Sequence, residues 1–482
     1  MSNQKKTISR VPELGRCARH EIRGLQCVLL VAALSAGGLA RAQTASPLTP
    51  AADGSLTWHG VTLYGTVDIG LQYETHGAPF SDYYTPGSTN IVQKDSRESV
   101  VGTTSSNMGQ SKVGLRGLEP IGGDWAAVFA LETWFNPQAG VLSDSLKSLT
   151  VNNGLTPGEQ TTNNDGASAG QAFQIGYIGL GSKTFGTLTF GRQQNLVADG
   201  VTVLDPNLAS PAFSLLGASG AYAGAGSTED KRMDSTLKYR IGFADTIHFG
   251  AFYKFNNSNG SAGGMAYQVN IGATYAGLAI DGYYSRINDA ISATSLSAAQ
   301  VAELPKLGFS SSNAVAATIS DNTTYAVMAV YKIAPVPVKL YAGYEHLQYA
   351  NPTTGVAAGT AGLGGYILAF VNNTNYPNDK DLDVYWTGVR YTVLPGLDLT
   401  AAYYGYRQNA YGTGTQAGCT TDAHSTCSGS FKAFSFDADY RLTKRFDVYA
   451  GIMYSSVSDG LANGYAYYTT DMNPTIGARF SF

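Results

Sequence analysis

Several side chains in this sequence are of types that can bind phosphate, bind a metal ion or catalyse a reaction. Their spacing decides whether they can act together. The segment 179–184 reads G-L-G-S-K-T, but it lacks the G-x-x-x-x-G-K-[ST] spacing of a phosphate-binding loop, and no helical pattern follows it. Zinc sites are built from closely spaced ligands, whereas the histidines past residue 42 are scattered with no close pair: His59, His76, His248, His346 and His424. The sequence therefore predicts no metal site and no cofactor.

A hydrolytic site would need a serine and a histidine side by side. His248 alternates with apolar residues, so it falls on the polar side of its segment, and His346 follows Glu345 near the end of another segment. Neither position indicates a catalytic group. We expect no enzymatic activity.

The first 42 residues have the pattern of a secretory signal peptide. Basic residues precede an apolar stretch that ends in Ala40-Arg41-Ala42, which is an A-x-A cleavage pattern, and the stretch is too short to span a membrane. We expect cleavage after Ala42, with residues 43–56 forming an N-terminal extension. The charged part is longer than usual, so translation starting downstream of Met1 stays open.

Two of the four cysteines, Cys17 and Cys27, belong to this leader, which leaves Cys419 and Cys427 as a pair. Exported compartments are oxidising, and disulfides persist there. The spacing of the pair does not fit zinc. We expect a disulfide within one loop, with two free thiols as the alternative.

The composition excludes several classes of protein. Charged residues make up 14% of the chain, against about 25% in typical soluble domains. A formal net charge of -4 argues against a basic nucleic-acid binder, and 31 tyrosines with 44% hydrophobic residues argue against disorder. No run of about 18 apolar residues follows the leader, so a helical membrane bundle is excluded as well.

Strict alternation of apolar and mixed polar residues is the dominant pattern of the body. It is clear from Val61 to Tyr73, and a period of two residues is the signature of a β-strand. Sixteen such segments begin near positions 61, 111, 125, 171, 186, 232, 246, 265, 278, 322, 337, 380, 397, 431, 446 and 471.

The connections between these segments alternate between short and long along the whole chain. Turns such as 394–396 and 442–445 separate long stretches rich in glycine, serine, threonine and asparagine. Membrane barrels have short periplasmic turns, long extracellular loops and an even number of strands, and a sheet in lipid must close on itself to pair its backbone. The sequence thus predicts an all-β fold over 57–482, a 16-stranded antiparallel transmembrane β-barrel.

Basic residues are placed so that they can line the inside of such a barrel. Lys112 and Arg116 alternate with apolar neighbours in one segment, and Lys238 and Arg240 do so in another. A basic side chain facing lipid near the midplane costs ~2–4 kcal/mol, which favours the lumen. The alternative is that these charges lie near strand ends and reach the lipid headgroups.

Four motifs resemble the general diffusion porins of Gram-negative bacteria, and those of beta-proteobacteria most of all. They are VTLYGTVD at 61–68, SKVGLRG at 111–117, FGRQ at 190–193, and the closing IGARFSF at 476–482 with its terminal aromatic residue. The resemblance extends over nearly the whole chain after the leader, about 57–482, and the four motifs are specific to this family only when taken together.

The resemblance implies a homotrimer in the cell outer membrane, in contact with lipid and lipopolysaccharide. Each barrel would hold a water-filled channel for passive diffusion of ions and small hydrophilic solutes, narrowed by the third long loop, about 193–231. In this family a basic wall faces acidic groups on that loop. The implied wall is Lys112, Arg116, Arg192, Lys238 and Arg240, and the implied loop acids are Asp199 and Asp205.

The sequence also departs from the family pattern. Gln174 stands where members commonly carry an inward arginine, and Ala212 replaces the acidic residue of a loop motif. A basic wall facing a weakly acidic loop attracts anions, whereas the acidic balance of the chain after the leader favours cations. Charge at a constriction dominates selectivity, so we expect anion preference.

Two alternative functions share this architecture. A substrate-specific outer-membrane channel would bind one solute in its lumen, and inward aromatic residues such as Tyr64 and Tyr449 are compatible with that role. A surface adhesin or receptor barrel would instead use its long loops to bind a host or phage partner.

Overall fold

The structure, a computed structural model, describes residues 56–77, 80, 98–143, 173–219, 231–244, 246–255, 265–295, 302, 304–307, 315–352, 370–373, 378–414, 417–419, 426–462, 465 and 467–482. The expected leader, 1–42, lies outside the described residues, as does the expected extension apart from Leu56. The second half of the expected constriction loop, 220–230, also lies outside them.

Strands account for most of the described chain. In order they are β1 (Leu56–Trp58), β2 (Val61–Glu74), β3 (Val100–Ser105), β4 (Lys112–Gly122), β5 (Trp125–Asn136), β6 (Val141–Leu142), β7 (Ile175–Ser182), β8 (Gly186–Gln194), β9 (Arg232–Phe243), β10 (Ile247–Lys254), β11 (Ala266–Tyr275), β12 (Leu278–Ser295), β13 (Val315–Ile333), β14 (Val338–Ala350), β15 (Phe370–Asn373), β16 (Lys380–Leu394), β17 (Leu397–Gln408), β18 (Gly429–Arg441), β19 (Phe446–Asp459) and β20 (Thr470–Ser481). Two helices follow β8: α1 (Leu196–Leu204) and α2 (Leu215–Ser219). Short 3-10 helices span Leu304–Leu307 and Gly460–Ala462.

Sixteen of these strands pair with their sequence neighbours in antiparallel fashion, while β1, β3, β6 and β15 are short additions to the wall. The last strand returns to the first, with β20 paired to β2 from Ser481 opposite Thr66 to Thr475 opposite Gln72. The barrel is therefore closed, and the prediction of a 16-stranded antiparallel barrel is confirmed.

Most strands begin within two residues of their predicted starts, and two differ by more. β13 begins at Val315 and not near 322. The added residues before 322 extend the sheet by pairing with the C-terminal part of β12, which follows a register shift between Ile287 and Ala290. That stretch, VAATISD, alternates too weakly to be recognised. β7 begins at Ile175, four residues later than predicted.

The connections at one end of the barrel are tight turns. Gly277 and Gly396 have φ values of 86° and 93° in two-residue turns, a left-handed conformation that glycine adopts without steric cost. In the described ranges, each helix named above belongs to a connection at the opposite end of the barrel from these turns. This asymmetry is the arrangement of short turns and long loops that the sequence indicated.

The two faces of the wall differ in polarity. On β11, Val269 and Ile271 are 41% and 63% exposed, while the alternating Gln268 and Asn270 are almost completely buried. Apolar residues point outward from a membrane barrel and polar residues point inward. Of the helices within the described ranges, none has the length and apolar character to cross a bilayer.

The main apolar cluster lies inside the barrel and not between layers. Helix α1 contributes Leu196, Val201 and Leu204, all buried, and they join inward wall residues such as Met328 and Trp386. If the lumen held only water, these apolar wall residues would be exposed to solvent, whereas they are buried. The first half of the third long loop therefore folds into the barrel and packs against one side of it.

We expect Gly388→Ala to disturb this packing. A Cβ at Gly388 would lie 2.4 Å from Cγ of Pro206, in the loop, and 2.8 Å from the carbonyl oxygen of Ala401 in the wall. Overpacking of this kind costs about 1–3 kcal/mol, so the variant should unfold at a lower temperature, which thermal unfolding in detergent measures. Gly282→Ala is the control, since its Cβ would meet no atom closer than 3.9 Å. Equal behaviour of the two variants would contradict the docked position of Pro206.

Candidate functional site: a constriction formed by the third long loop

The start of helix α1 is held by a cap and by the wall. Asn195 precedes the helix, and its side-chain oxygen accepts a hydrogen bond from the backbone N–H of Ala198 at 2.9 Å, as N-cap residues do. The N–H of Leu196 donates to Oε1 of Gln268 on β11 at 2.7 Å. The loop thus enters the lumen at a defined point directly after β8.

The end of α1 is anchored to β16, β17 and β18. The Tyr404 hydroxyl donates to Oδ1 of Asp205 at 2.8 Å, and Nε1 of Trp386 donates to the carbonyl of Leu204 at 3.2 Å. Nδ2 of Asn207 donates to Oγ of Ser435 at 2.9 Å. These bonds tie the loop to an inner wall far from β8 in the sequence.

The loop then reaches the segment between β3 and β4. Oγ of Ser210 and the backbone N–H of Ala212 both donate to the carbonyl of Asn107, at 2.7 Å and 3.0 Å. Nδ2 of Asn107 donates to the Tyr449 hydroxyl at 3.1 Å, and that hydroxyl donates to Asp68. The loop therefore follows the inner wall from β11 to β20 and is bonded to it along the way, so it occupies part of the lumen and narrows it.

Two of the predicted wall cations contact the predicted loop acid directly. Asp199, on α1, forms ion pairs with Lys238 and Arg240 of β9. Nζ of Lys238 also donates to the carbonyl of Gln194 at 2.8 Å. The sequence predicted an acidic loop facing a basic wall across the channel. In the structure this acid lies against the cations, so their charges are partly compensated and they help to fix α1 in place.

The other two strand cations, Lys112 and Arg116, surround Tyr64 on the inner face of β2 and β4. Nζ of Lys112 lies 3.0 Å from Oε2 of Glu132 and 5.9 Å from the centre of the Tyr64 ring. The guanidinium of Arg116 lies 5.5 Å from the same ring, and Arg116 is exposed. Arg116 is the wall cation best placed to meet a permeating ion.

Glu132 is a functional residue that sequence reasoning missed. It accepts hydrogen bonds from the Tyr64 hydroxyl at 3.0 Å and from Nε1 of Trp134 at 2.7 Å. Lys231 and Arg232 lie over the Trp134 ring, at 4.9 Å and 3.7 Å from its centre. The alternation of β5 places Glu132 and Trp134 on the inner face, so the signal was present, although their partners come from distant strands.

Arg192 and Asp205 do not lie where they were expected. Arg192 is buried at the end of β8, beside a register shift between Gly191 and Gln193. Its NH1 lies 2.6 Å from Oδ1 of Asp234, so its charge is paired within the wall. Asp205 is fully buried and takes part in the hydrogen bonds at the end of α1. It therefore anchors the loop and does not face the water path.

Cys419 and Cys427 are joined by a disulfide in the loop between β17 and β18. The carbonyl of Cys427 accepts a hydrogen bond from Nε2 of Gln408 at 3.1 Å, so Cys427 is held to the end of β17. Among the described residues, no three histidine, cysteine, aspartate or glutamate side chains are grouped as metal ligands would be.

A closed antiparallel barrel with an apolar outer face, a charged inner face and a loop folded across its lumen defines the class of transmembrane β-barrel channels. Comparison with known families is consistent with this class. The profile of the Gram-negative porin family matches residues 28–460, and the chain belongs to that family. The family and the fold point to a channel and not to an enzyme.

Individual proteins of known sequence or structure are also similar to this chain, although their sequence identity to it is low. The chain is similar to an outer membrane porin protein of Bordetella pertussis, with 29% identity over 259 residues, and the match spans 52% of this chain and 54% of that protein. It also resembles the anion-selective porin from Comamonas acidovorans, at 16% identity and a TM-score of 0.57, covering 88% of this chain and 99% of that one. OmpT, an outer membrane protein of Vibrio cholerae, matches at 15% identity and a TM-score of 0.53, covering 89% and 100%. Identities this low show a shared fold.

Asp205 should make the docking of the loop depend on pH. Burial disfavours the charged carboxylate and raises the pKa of Asp205 from 3.8 to about 6. A carboxyl whose pKa is higher in the folded state than in the unfolded state binds its proton more tightly when folded. The resulting stabilisation of the fold is fully present below the unfolded-state pKa and is lost as pH rises through the folded-state pKa of about 6. The stability of the native barrel, relative to Asp205→Asn, should thus fall by about 3 kcal/mol between pH 4 and pH 7.

The measurement is thermal unfolding of both proteins in detergent across this pH range. Because other groups titrate in both proteins, the difference between the two melting temperatures isolates Asp205. A difference that stays constant with pH would show that Asp205 is not buried in the docked loop.

Proposed function

We propose that this protein is an outer-membrane porin, a water-filled channel through which ions and small hydrophilic solutes diffuse passively. The observation that carries the proposal is the closed barrel with its third long loop held inside the lumen by bonds to Tyr404 and Asn107. Membership of the Gram-negative porin family supports the location in the outer membrane. We propose no catalytic role.

The charges around the constriction support a preference for anions. Lys112, Arg116, Lys238 and Arg240 are four cations on the inner wall, and the carboxylates that pair with them are Glu132 and Asp199. Among these six described groups, the cations of β4 and β9 outnumber the carboxylates that they contact, and charged groups at a narrow point set ion selectivity. The Comamonas porin, which has a similar fold, is described as anion-selective.

Permeation in this channel needs no conformational cycle. The cations of β4 and β9 produce an electric field across the lumen, and polar solutes and water can orient in that field, while apolar solutes lose hydration without compensation. The hydrogen bonds and ion pairs that hold α1 keep the opening at a fixed width. Selection by size and charge follows from this rigid geometry.

We further propose that the functional unit is a homotrimer in contact with outer-membrane lipid and lipopolysaccharide. The support is family membership, together with a similar barrel from Vibrio cholerae that is described in a trimer form. We also propose that residues 1–42 are removed on export and that 43–56 precede the barrel as an extension.

Planar-bilayer recording tests the proposed channel and its selectivity. Under a KCl gradient, the purified protein should insert in steps, and each step should conduct a current proportional to voltage. The sign of the reversal potential should show that chloride permeates more readily than potassium. Arg116→Gln should move this potential toward cation selectivity, because it removes the exposed cation beside Tyr64. Lys183→Gln is the matched control, since Lys183 is an exposed residue of the tight turn between β7 and β8, and it should leave the potential unchanged.

Different outcomes would favour other functions. A cation-selective native channel would overturn the anion preference, and an unchanged potential in Arg116→Gln would remove Arg116 from the ion path. Rare, small steps that one solute blocks would favour a substrate-specific channel. Absence of steps would favour a surface receptor or adhesin.

A further inference from the structure

Four polar side chains on the inner wall have atoms without hydrogen-bond partners, at the end of the barrel where the long loops begin. They are Gln72 and Glu74 on β2, Ser455 on β19 and Asp471 on β20, and each is at most 1% exposed. Among the described residues, nothing bonds to Nε2 and Oε1 of Gln72, to either carboxylate oxygen of Glu74, to Oγ of Ser455 or to Oδ2 of Asp471. Buried polar groups are normally hydrogen-bonded, so a group of exceptions calls for a ligand such as a bound ion.

The pairing of β2 with β20 brings two acids of this group together. Gln72 belongs to the last pair of the ladder, and the N–H of Thr75 donates to the carbonyl of Met472 at 3.2 Å, which continues the same register. Glu74 and Asp471 are therefore diagonal neighbours on adjacent strands. Such neighbours lie about 7–8 Å apart, a distance that long side chains span.

The third strand, β19, adds a hydroxyl to the two acids. Ser455 lies directly opposite Asp471 in the register, and directly opposed residues share one face of a sheet. The neighbouring positions Tyr73, Tyr454 and Met472 are exposed, as expected for the lipid-facing side. The four polar side chains therefore point into the barrel from three adjacent strands.

The orientation of the Asp471 carboxylate is fixed through one of its oxygens. Oδ1 accepts hydrogen bonds from Oγ1 of Thr75 at 2.8 Å and from the N–H of His76 at 2.7 Å. The His76 ring stacks on Tyr468 with 3.6 Å between the ring centres, and its Nδ1 lies 2.8 Å from the carbonyl oxygen of Thr470. These contacts hold the carboxylate in place and leave Oδ2 for a ligand.

The charges of this group favour a cation as that ligand. Glu74 interacts electrostatically with Asp471, and neither carboxylate forms an ion pair with a cation of the described chain. Like charges on adjacent strands repel each other, and burying a carboxylate without a counter-charge is costly. A cation between the two carboxylates removes both penalties.

We propose that Gln72, Glu74, Ser455 and Asp471 form a calcium site. The two carboxylates supply negative charge, and the amide oxygen of Gln72 and the hydroxyl of Ser455 supply neutral oxygen ligands. Ca²⁺ takes about six to eight oxygen ligands in a flexible geometry, whereas Mg²⁺ requires a near-ideal octahedron at shorter distances. A bidentate Glu74 with one oxygen from each of the other three leaves room for water to complete the shell.

The site lies at the seam where the barrel closes, because β2 is the first strand of the wall and β20 the last. Bound Ca²⁺ joins these two strands and β19 at their extracellular ends, so it clamps the seam. The spacing of histidines and cysteines predicted no metal site. Oxygen ligands drawn from three strands leave no such signal in the sequence, and their role does not depend on which solutes the channel passes.

Calcium binding by the purified protein tests the site. The protein is washed free of lipopolysaccharide, whose phosphates also bind divalent cations, and treated with EDTA; Ca²⁺ is then titrated and followed by calorimetry and by thermal unfolding in detergent. We expect a dissociation constant on the order of 0.1–1 mM, as in extracellular calcium modules, and a higher unfolding temperature with Ca²⁺ than in EDTA. Mg²⁺ should bind at least about tenfold more weakly.

Glu74→Gln should weaken Ca²⁺ binding by about 10- to 100-fold, because it removes one charged ligand. The substitution breaks no hydrogen bond among the described residues and removes the repulsion from Asp471. In EDTA the variant should therefore unfold at or above the temperature of the native protein. Asp471→Asn keeps an acceptor oxygen for Thr75 and should show the same loss of binding.

Glu345→Gln is the matched control. Glu345 on β14 is also fully buried, and its carboxylate oxygens have no hydrogen-bond partner in the described ranges, but no second described acid interacts with it. This variant should bind Ca²⁺ as the native protein does. Native protein that binds no Ca²⁺ up to about 10 mM, well above the expected range, would overturn the site, as would Glu74→Gln binding as tightly as native. Equal affinity for Mg²⁺ would overturn the assignment to calcium.

Discussion

Closure of the sheet is the constraint on which the rest of the structure depends. In the hydrocarbon of a membrane every backbone N–H and C=O must be paired within the protein, and a sheet satisfies this only when its last strand bonds to its first. Here β20 pairs with β2, and the closed wall leaves a lumen into which one long loop can fold. Inward and outward positions follow from the same geometry, because alternate residues of each strand face opposite sides.

The lumen is shaped by contacts that are polar at the ends of the loop and apolar along its helix. Leu196, Val201 and Leu204 pack on the inner wall, while Asp205 and Ser210 hydrogen-bond to Tyr404 on β17 and to Asn107 between β3 and β4. Apolar packing alone would leave the register of the loop undefined. Directional bonds fix which residues face the remaining water path, and so they determine its charge.

The strand pattern could be predicted from the sequence because each strand carries its own period, independent of its partners. The contacts of the site residues could not be predicted in this way, because they depend on which strands and loops come together in the folded barrel. Alternation correctly assigned a face to Lys238, yet it carries no information on the loop acid that Lys238 meets, because that contact joins α1 to β9. Nor could it reveal that Arg192 pairs with Asp234 of the neighbouring strand, since cross-strand contacts arise only when the sheet assembles.

The central claim is that the barrel holds an open path of fixed width set by the docked loop. The most direct test measures the swelling of proteoliposomes in isotonic solutions of uncharged sugars of increasing size. The account predicts rapid swelling with the smallest sugars and a steep decline with size, since the loop is held at both ends and cannot widen the path. Swelling that is absent for every sugar, or equally fast for all of them, would contradict it.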